Sequence, residues 1–445
     1  MSEWINTEYG KIASNLQNST LKEICVSKDG IQTGPFGSQL HKEDYVINGT
    51  PIITVEHLDS GFINGDNAPR VSNEDLKRLI KYTLKEGDIV FSRVGSVDRR
   101  SLVRKKEEGW MFSGRCLRVR ANKSKIDPQY LSYFFGTESF KNHIRSIAVG
   151  ATMPSINTKI LSDVNIFYPP LPEQKAIAHI LGSLDEKIEL NRQMNQTLET
   201  MAQALFKSWF VDFDPVLDNA IAQDNEIPEE LQRKAAKRKK VPTDKKLLHT
   251  NPSLAAQFPA SFVFNETLGK WIPEGWTNEQ VELVLNRLKV SIRYKKEDLS
   301  PFGNTPVYEQ GANILMGYHN GKPDIIATSD DPAFIFGDHT CVMKLGMKPF
   351  SISANVIALK GKVRNTIWTY FSLLGVQSFE EYRRHWMELA AKQIPIAPKN
   401  VCNAFESMVK DLILKQVEIQ NEIETLTQLR DRLLPELISG RVRIC

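Results

Sequence analysis

Between Pro172 and Val211 the residues Ile177, Leu181, Leu184, Ile188, Asn191, Asn195, Leu198, Ala202, Leu205 and Trp209 follow one another at alternating steps of four and three. That alternation is the seam of a helix packed lengthwise on another helix. Pro172 suits a first helical turn, where its missing N–H costs nothing, and the helix is expected to end at Asp212–Pro215. A second series has the same spacing: Phe405, Val409, Leu412, Gln416, Ile419, Ile423, Leu426, Arg430, Leu433 and Leu437. It predicts a second long helix, with Pro435 kinking or interrupting it after Leu434 and Gly440 closing its last turn. At a rise of ~1.5 Å per residue, helices of about 35–40 residues are ~50–60 Å long.

The chain is written twice. Thr50-Pro51 is answered by Thr305-Pro306, Phe135-Gly136 with Ser139-Phe140 by Leu374-Gly375 with Ser378-Phe379, and Glu199-Thr200 with Gln203 by Glu424-Thr425 with Gln428. The matches keep their order while the spacing shrinks, as deletions in the second copy would produce. Asn191 and Gln416 stand at seam positions related by the same spacing as the third match. Polar residues there either fix the helix register or face solvent. Two repeat-related heptad helices most simply pack on each other, antiparallel.

Outside the helices the pattern shortens to strand-like runs between turns: Pro51–Val55, Asp88–Ser92 and Cys116–Val119, then Ile325–Thr328, Ala333–Phe336, Cys341–Lys344 and Asn355–Lys360. Each half adds one amphipathic helix. The first starts at Asp127-Pro128 and carries Tyr130, Phe134 and Phe140; the second starts at Asn365-Thr366 and carries Trp368, Phe371, Leu374 and Phe379. The fold class is α+β: two globular mixed α/β heads with small twisted sheets, joined by two long antiparallel coiled-coil helices in a pseudo-two-fold repeat. The expected division is 1–170 (first head), 171–214 (first long helix), 215–270 (linker and lead-in), 271–398 (second head) and 399–445 (second long helix).

Composition adds limits. The chain has 445 residues, 41% of them hydrophobic and 25% charged, enough to bury a sizeable core in two or three domains. The apolar runs are too short to span a membrane and Met1-Ser2-Glu3-Trp4 does not open a secretion signal, so a cytoplasmic protein is expected. Cys25, Cys116, Cys341, Cys402 and Cys445 form no CxxC pair and read as free thiols in a reducing compartment. The net charge of +4 permits a nucleic-acid partner without demanding one.

Three lookalikes of catalytic motifs fail on inspection. Asp331-Pro332-Ala333-Phe334 approximates the Asp-Pro-Pro-aromatic motif of adenine methyltransferases, but Ala333 replaces the second proline and no glycine-rich cofactor turn precedes it. Gly317–Lys322 is one residue short of a P-loop, and Pro323 stands where Ser or Thr would hold Mg²⁺. Pro323-Asp324 is followed by no Asp/Glu-x-Lys before Glu380. The eight histidines form no HExxH or triad-like pattern. No catalytic, metal or cofactor residues are therefore nominated.

The positive signal is basic. Arg93, Arg99, Arg100, Arg104, Lys105, Lys106, Arg115, Arg118 and Arg120 crowd a β-rich part of the first head. They either neutralise phosphates and read guanine, or form a solvated strand face. Gln32, Thr33, Phe36, Ser38, Gln39, His41 and Lys42 lie in a Gly-rich loop within reach of base edges, together with Arg93, Arg99 and Arg100. The second-head nominees are Arg293, Tyr294, Lys295, Tyr308, Gln310, Asn313 and His319. The helix-pair seam is assigned to Leu184, Ile188, Asn191, Leu198, Leu205, Val409, Leu412, Gln416, Ile423 and Leu426. The basic run Arg233–Lys246 is a phosphate-contacting arm or a solvated connector.

Residues 171–216, LPEQKAIAHILGSLDEKIELNRQMNQTLETMAQALFKSWFVDFDPV, resemble the central helical region of type I restriction–modification specificity subunits, and 426–444, LTQLRDRLLPELISGRVRI, the matching second region. TGPFGSQL (33–40), GATMPSIN (150–157) running into PPLPEQ (169–174), and FPASFVFNETLGKWIPEGW (258–276) resemble the opening, the end and the second lead-in of the target recognition domains of that family. The second head departs: it lacks GPFGS and ends in IPIAPKNV (394–401), without a counterpart to PPLPEQ. The resemblance implies a non-catalytic DNA-binding subunit. Each head reads half of a bipartite double-stranded target, and the helices set the spacer and dock two methyltransferase subunits. Restriction subunits join them, and S-adenosylmethionine, ATP and Mg²⁺ belong to those partners. The rival reading is a coiled-coil protein-binding scaffold without DNA readout.

Overall fold

The computed structural model describes residues 4–58, 61–65, 67–311 and 313–444, with the Ser38 side chain outside the described set. The chain divides into two compact units, Met1–Leu190 with Ile423–Cys445, and Asn191–Glu422.

Both long helices are present, Leu171–Phe210 and Lys399–Ile438, of 40 residues each. The first begins where the Pro170 carbonyl accepts the N–H groups of Glu173 and Gln174. It ends before Phe213, which takes the left-handed region at φ 59°, a little before the expected stop. In the first unit Ile177 and Leu181, near the start of the first helix, share a core with Leu437 and Ile438, near the end of the second. In the second unit Trp209 and Phe210 share one with Phe405 and Val409. Start lies beside end in each unit, so the pair is antiparallel.

Of the seam positions, Ile188, Asn191, Val409 and Ile423 are buried, and Leu184, Leu198, Leu205, Leu412, Gln416 and Leu426 are half-buried. A fully buried aliphatic side chain such as Val409 contributes roughly 1.5–3 kcal/mol. Neither polar seam residue faces solvent. Asn191 is 1% exposed, and Gln416 Nε2 donates to the Asn195 carbonyl at 3.0 Å and to Glu199 at 3.2 Å. Pro435 does not interrupt the second helix. It sits in the last turn, where its missing N–H costs a single bond, and burial of Leu437 and Ile438 holds the turn closed. Gly440, at φ 74°, then ends it.

Each head is built from the same four pairings. A hairpin, Trp4–Thr7 with Gly10–Ala13, corresponds to Phe262–Asn265 with Lys270–Pro273. Gln17–Thr20 pairs with Asn165–Tyr168, joining the start of the head to its end, as Thr277–Gln280 does with Gln393–Ile396. The main sheet is antiparallel in the order Ile31–Thr33, Cys116–Arg120, Asp88–Ser92, Arg100–Leu102, and in the second head Leu285–Arg287, Val356–Gly361, Ala333–Gly337, Met343–Gly346. A smaller sheet contains the Thr-Pro match. Thr50–Ile53 and Thr305–Tyr308 each run parallel to the strand that precedes the main-sheet return (Met111–Phe112, Ser351–Ser353) and antiparallel to the next (Arg70–Val71, Leu315–His319). The strands DIVFS and AFIFG are buried at every position, as a strand covered on both faces requires.

Several expectations are corrected. Ile325–Thr328 forms no strand, only a bridge between Ile325 and Phe350. The helix at Asp127-Pro128 is two helices, Pro128–Gly136 and Glu138–Ile147, divided at Thr137, whose hydroxyl donates to the Phe134 carbonyl and accepts from Phe140 N–H. Its counterpart stops at Leu373 because Gly375 turns left-handed, at φ 75°. Phe379 is therefore exposed and does not match buried Phe140. IPIAPKNV does answer PPLPEQ: in both heads the closing strand runs through a proline into a long helix. The expected linker is folded. Helices Asp214–Ala222 and Glu229–Lys239 pack through Leu217, Leu231 and Ala235, and the hairpin at 262–273 straddles the expected boundary at 270.

Candidate nucleic-acid interface

Four connections meet at one end of the first head's main sheet: the segment after Thr33, Arg93–Arg99, Ser113–Arg115, and 148–157. Hydrogen bonds lace them together. Gly34 N–H donates to the Cys116 carbonyl, Arg93 Nη1 and N–H to the Gly114 and Arg115 carbonyls, Gly95 N–H to Pro154, and Ile156 N–H to Arg93. Gly34 is required, because a Cβ there would lie 2.2 Å from the Ser113 carbonyl oxygen. Phe36, 61% exposed, and Met153, 64% exposed, project from this end, with Arg99 and Arg115 also exposed. Neither Arg99 nor Arg115 has an ion-pair partner among the described residues. An aromatic ring, a flexible thioether and unpaired guanidinium groups suit a stacked, polyanionic ligand.

The other cluster arginines are structural. Arg100 is 5% exposed and its Nε donates to the Ser132 carbonyl at 2.6 Å. Burial pulls its guanidinium down to about 10, against the opposing influence of nearby Asp185 and Tyr133. It is withdrawn from the list of base readers, because a side chain enclosed under Gly136 cannot reach a groove. Arg118 is 1% exposed and donates to the Asp29 carbonyl, Arg120 pairs with buried Asp88 at 2.6 Å, and Arg104 pairs with buried Glu107 at 3.1 Å. Arg100, Arg118 and Arg120 lie on strands and Arg104 just before a turn, and these four serve as internal scaffolding, whereas Arg99, Lys105, Lys106 and Arg115 are exposed.

Gln32 and Thr33 lie on the edge strand beside the four connections, half-buried. Gln39 is turned aside: Tyr82 Oη donates to its Oε1 at 2.8 Å and Arg78 to its carbonyl at 2.9 Å. Ser38 lies in the turn Gly37–Gln39, its side chain outside the described residues. His41 and Lys42 are exposed at the following turn.

The second head presents the equivalent connections: the segment after Arg287, Asp338–Val342, Ala354–Asn355, and 374–385. Arg293 reaches them, donating to the Ser353 and Val356 carbonyls at 2.9 and 2.8 Å. Gln310 does too, its Oε1 accepting from His339 N–H at 2.9 Å. Tyr294 and His319 stack at 4.2 Å between ring centroids, with His319 Nε2 at 3.0 Å from Ser351 Oγ. Burial lowers the His319 pKa and raises that of Tyr294. Both rings are thus engaged within the smaller sheet, as is Tyr308 against Phe350. Lys295 and Asn313 are exposed.

Residues missed in the sequence stand out here. Tyr382, 75% exposed, stacks on His339 at 4.7 Å, and Arg384 and Met387 are exposed beside it. The loop hangs on His385, fully enclosed, whose ring nitrogens lie 3.2 Å from Glu388 Oε2 and 3.0 Å from the Glu381 carbonyl. The hydrogen bond from His385 holds the Glu388 carboxyl below its usual range. The signal was aromatic residues interleaved with arginine in FEEYRRHWM. In the basic run Arg233–Lys246, Arg238 pairs with Asp218 and Asp214, and Lys234 with Asp212, so part of its charge is neutralised internally.

Among the described residues no group of three or more His, Cys, Asp or Glu is placed to hold a metal ion, and no helix is long and apolar enough to cross a membrane. Residues 13–200 match the family described as the type I restriction modification DNA specificity domain. The chain is 25% identical over 331 residues to the type I restriction enzyme MjaIX specificity subunit of Methanocaldococcus jannaschii, spanning 72% of this chain and 71% of that protein. It is 26% identical over 422 residues to the HindI specificity subunit of Haemophilus influenzae, spanning 84% and 90%. The crystal structure of a type I restriction-modification S subunit from M. genitalium shares the fold, with a TM-score of 0.52 at 16% identity over 95% of this chain and 96% of that one.

Proposed function

The chain belongs to the type I restriction–modification specificity subunits, and on that premise we propose that each head reads one half of a bipartite duplex target through the four connections at the end of its main sheet. One observation carries this: two heads whose main sheets share one strand order present different side chains from equivalent connections. Phe36, Arg99, Arg115 and Met153 stand in one, and Arg293, Tyr382, Arg384 and Met387 in the other. Equivalent scaffolds with unlike tips fit an asymmetric target. An arginine that forks onto guanine contributes about 1–3 kcal/mol of discrimination.

The antiparallel helices act as the ruler that sets the spacer between half-sites and as the surface on which two methyltransferase subunits dock, restriction subunits joining them. S-adenosylmethionine, ATP and Mg²⁺ are assigned to those partners and catalysis to their active sites, in the cytoplasm. The subunit itself works by alignment, placing partner active sites over adenines in both half-sites.

Footprinting of the complex in which the chain co-purifies is the test. Protection of two short patches about one helical turn, roughly 34–36 Å, apart is expected. Absence of any sequence preference at moderate salt would overturn the assignment in favour of a protein-binding scaffold.

A further inference from the structure

Phe36 and Met153 are large apolar side chains with most of their surface in water, and Val149 on the same connection is 63% exposed. Leaving such groups exposed forgoes the free energy that their burial would contribute. Nothing in the first head's core needs them: its clusters contain neither Phe36 nor Met153. Their backbones, by contrast, are held. Gly114 passes so close to Phe36 that a Cβ on it would lie 2.9 Å from the Phe36 Cβ. Val149 and Ser155 exchange backbone hydrogen bonds at 2.9 and 2.8 Å, closing the loop that carries Met153. Apolar tips on pinned loops resist being pushed aside, as a wedge must.

Charge decides what such a wedge enters. Arg99 and Arg115 flank the tips, exposed and without carboxylate partners among the described residues, and Arg93 spends its Nη1 on the Gly114 carbonyl. An apolar protein partner would be poorly matched to these two unneutralised guanidinium groups, whereas a duplex supplies phosphates for the arginines and aromatic faces for the tips. Apolar wedges between flanking cations unstack a base step, and the contacts that the kink permits offset the lost stacking.

We propose that Phe36 and Met153 form an apolar wedge that opens a base step in the half-site read by the first head, so that the deformability of that step contributes to specificity. The proposal rests on the DNA-reading assignment above. The test uses the co-purified complex on duplex carrying its target, defined beforehand by mapping methylated adenines. Permanganate reactivity of thymines reports unstacking, and footprinting of the same samples reports binding.

The expected result is a reactive thymine in one half-site that falls at least fivefold in the Phe36→Ala, Met153→Ala double variant while both footprints remain. Phe36→Leu should restore most of the signal, and Ile80→Ala, which removes an apolar group exposed elsewhere on this head, should leave it unchanged. A partner that extracts an adenine also exposes a thymine, so only the signal lost with the wedge counts. Reactivity equal in the parent and the double variant, with both footprints intact, overturns the wedge and leaves the DNA-reading assignment standing. Loss of both footprints in the parent complex overturns that assignment itself.

Discussion

Arg100 gives the sharpest separation between a base reader and a structural cation. Its guanidinium is enclosed under Gly136, where a Cβ would lie 2.1 Å from Nη2, and donates from Nε to the buried Ser132 carbonyl. Nearby Asp185 also accepts from Tyr133 Oη at 2.7 Å and from Arg430 Nη1 at 2.8 Å. In Arg100→Ala the lost charge-assisted hydrogen bond is worth about 1.5–3 kcal/mol. The vacated volume adds to that cost. Asp185 keeps two partners, so the full penalty of an orphaned buried charge, about 3–5 kcal/mol, does not apply. A loss of roughly 3 kcal/mol is expected. Arg100→Met fills most of the space and removes the desolvation cost that depresses the guanidinium, so about 1–2 kcal/mol is expected for it. Two units need not unfold together, so the readout is local: amide exchange across 128–147 during thermal unfolding of the full chain. For a unit of about 200 residues, 3 kcal/mol corresponds to roughly 6–12 °C. Unchanged exchange in Arg100→Ala, combined with relaxed specificity in one half-site, would refute the reasoning and return Arg100 to the interface.

Three further outcomes are expected. Asn191→Leu removes a buried Nδ2 that has no hydrogen-bond partner among the described residues and should stabilise the protein by about 1–2 kcal/mol, read as a higher melting temperature; a lower one would mean that the amide has a satisfied role in the seam. Glu388 has its carboxyl pKa lowered by His385, so its contribution is present above the unfolded carboxylate range and lost as pH falls through the lower folded value. Proteolysis of the 377–388 loop should therefore rise on acidification below about pH 4.5, and Glu388→Gln should abolish that dependence. Inserting four residues after Asn195 shifts the heptad phase and should change the permitted spacer or prevent assembly; methylation at the original spacing would contradict the ruler.

The contrast between the heads and the helices explains what was legible in the chain. The seam is written in a period that one helix alone enforces, so Ile188, Val409 and Ile423 were identifiable as buried from spacing, whereas for polar Asn191 only the structure decided between burial and solvent. The main-sheet strands DIVFS and AFIFG were legible for a similar reason, as short apolar runs bounded by turns. The arginines were not. Arg99 and Arg100 are neighbours of one type, yet the first faces water and the second is enclosed. Arg99 ends the turn and Arg100 opens the strand, and the sequence does not say which of them is covered, because the cover comes from Pro128–Gly136, a helix distant in sequence.

The sequence by itself determined the two-fold repeat, the paired helices and the absence of a recognisable catalytic motif, since all three rest on local periodicity or fixed spacing. Only the tertiary structure decided that the main sheets of the two heads share one strand order while the smaller sheets add their fourth strand, Tyr45–Val46 or Arg293–Tyr294, on opposite edges, because sheet order is set by pairings between segments distant in sequence. It also decided which loops meet. Phe36, Arg93, Gly114 and Met153 come from four separate stretches, and the hydrogen bonds that lace those stretches together form only once the sheet has closed.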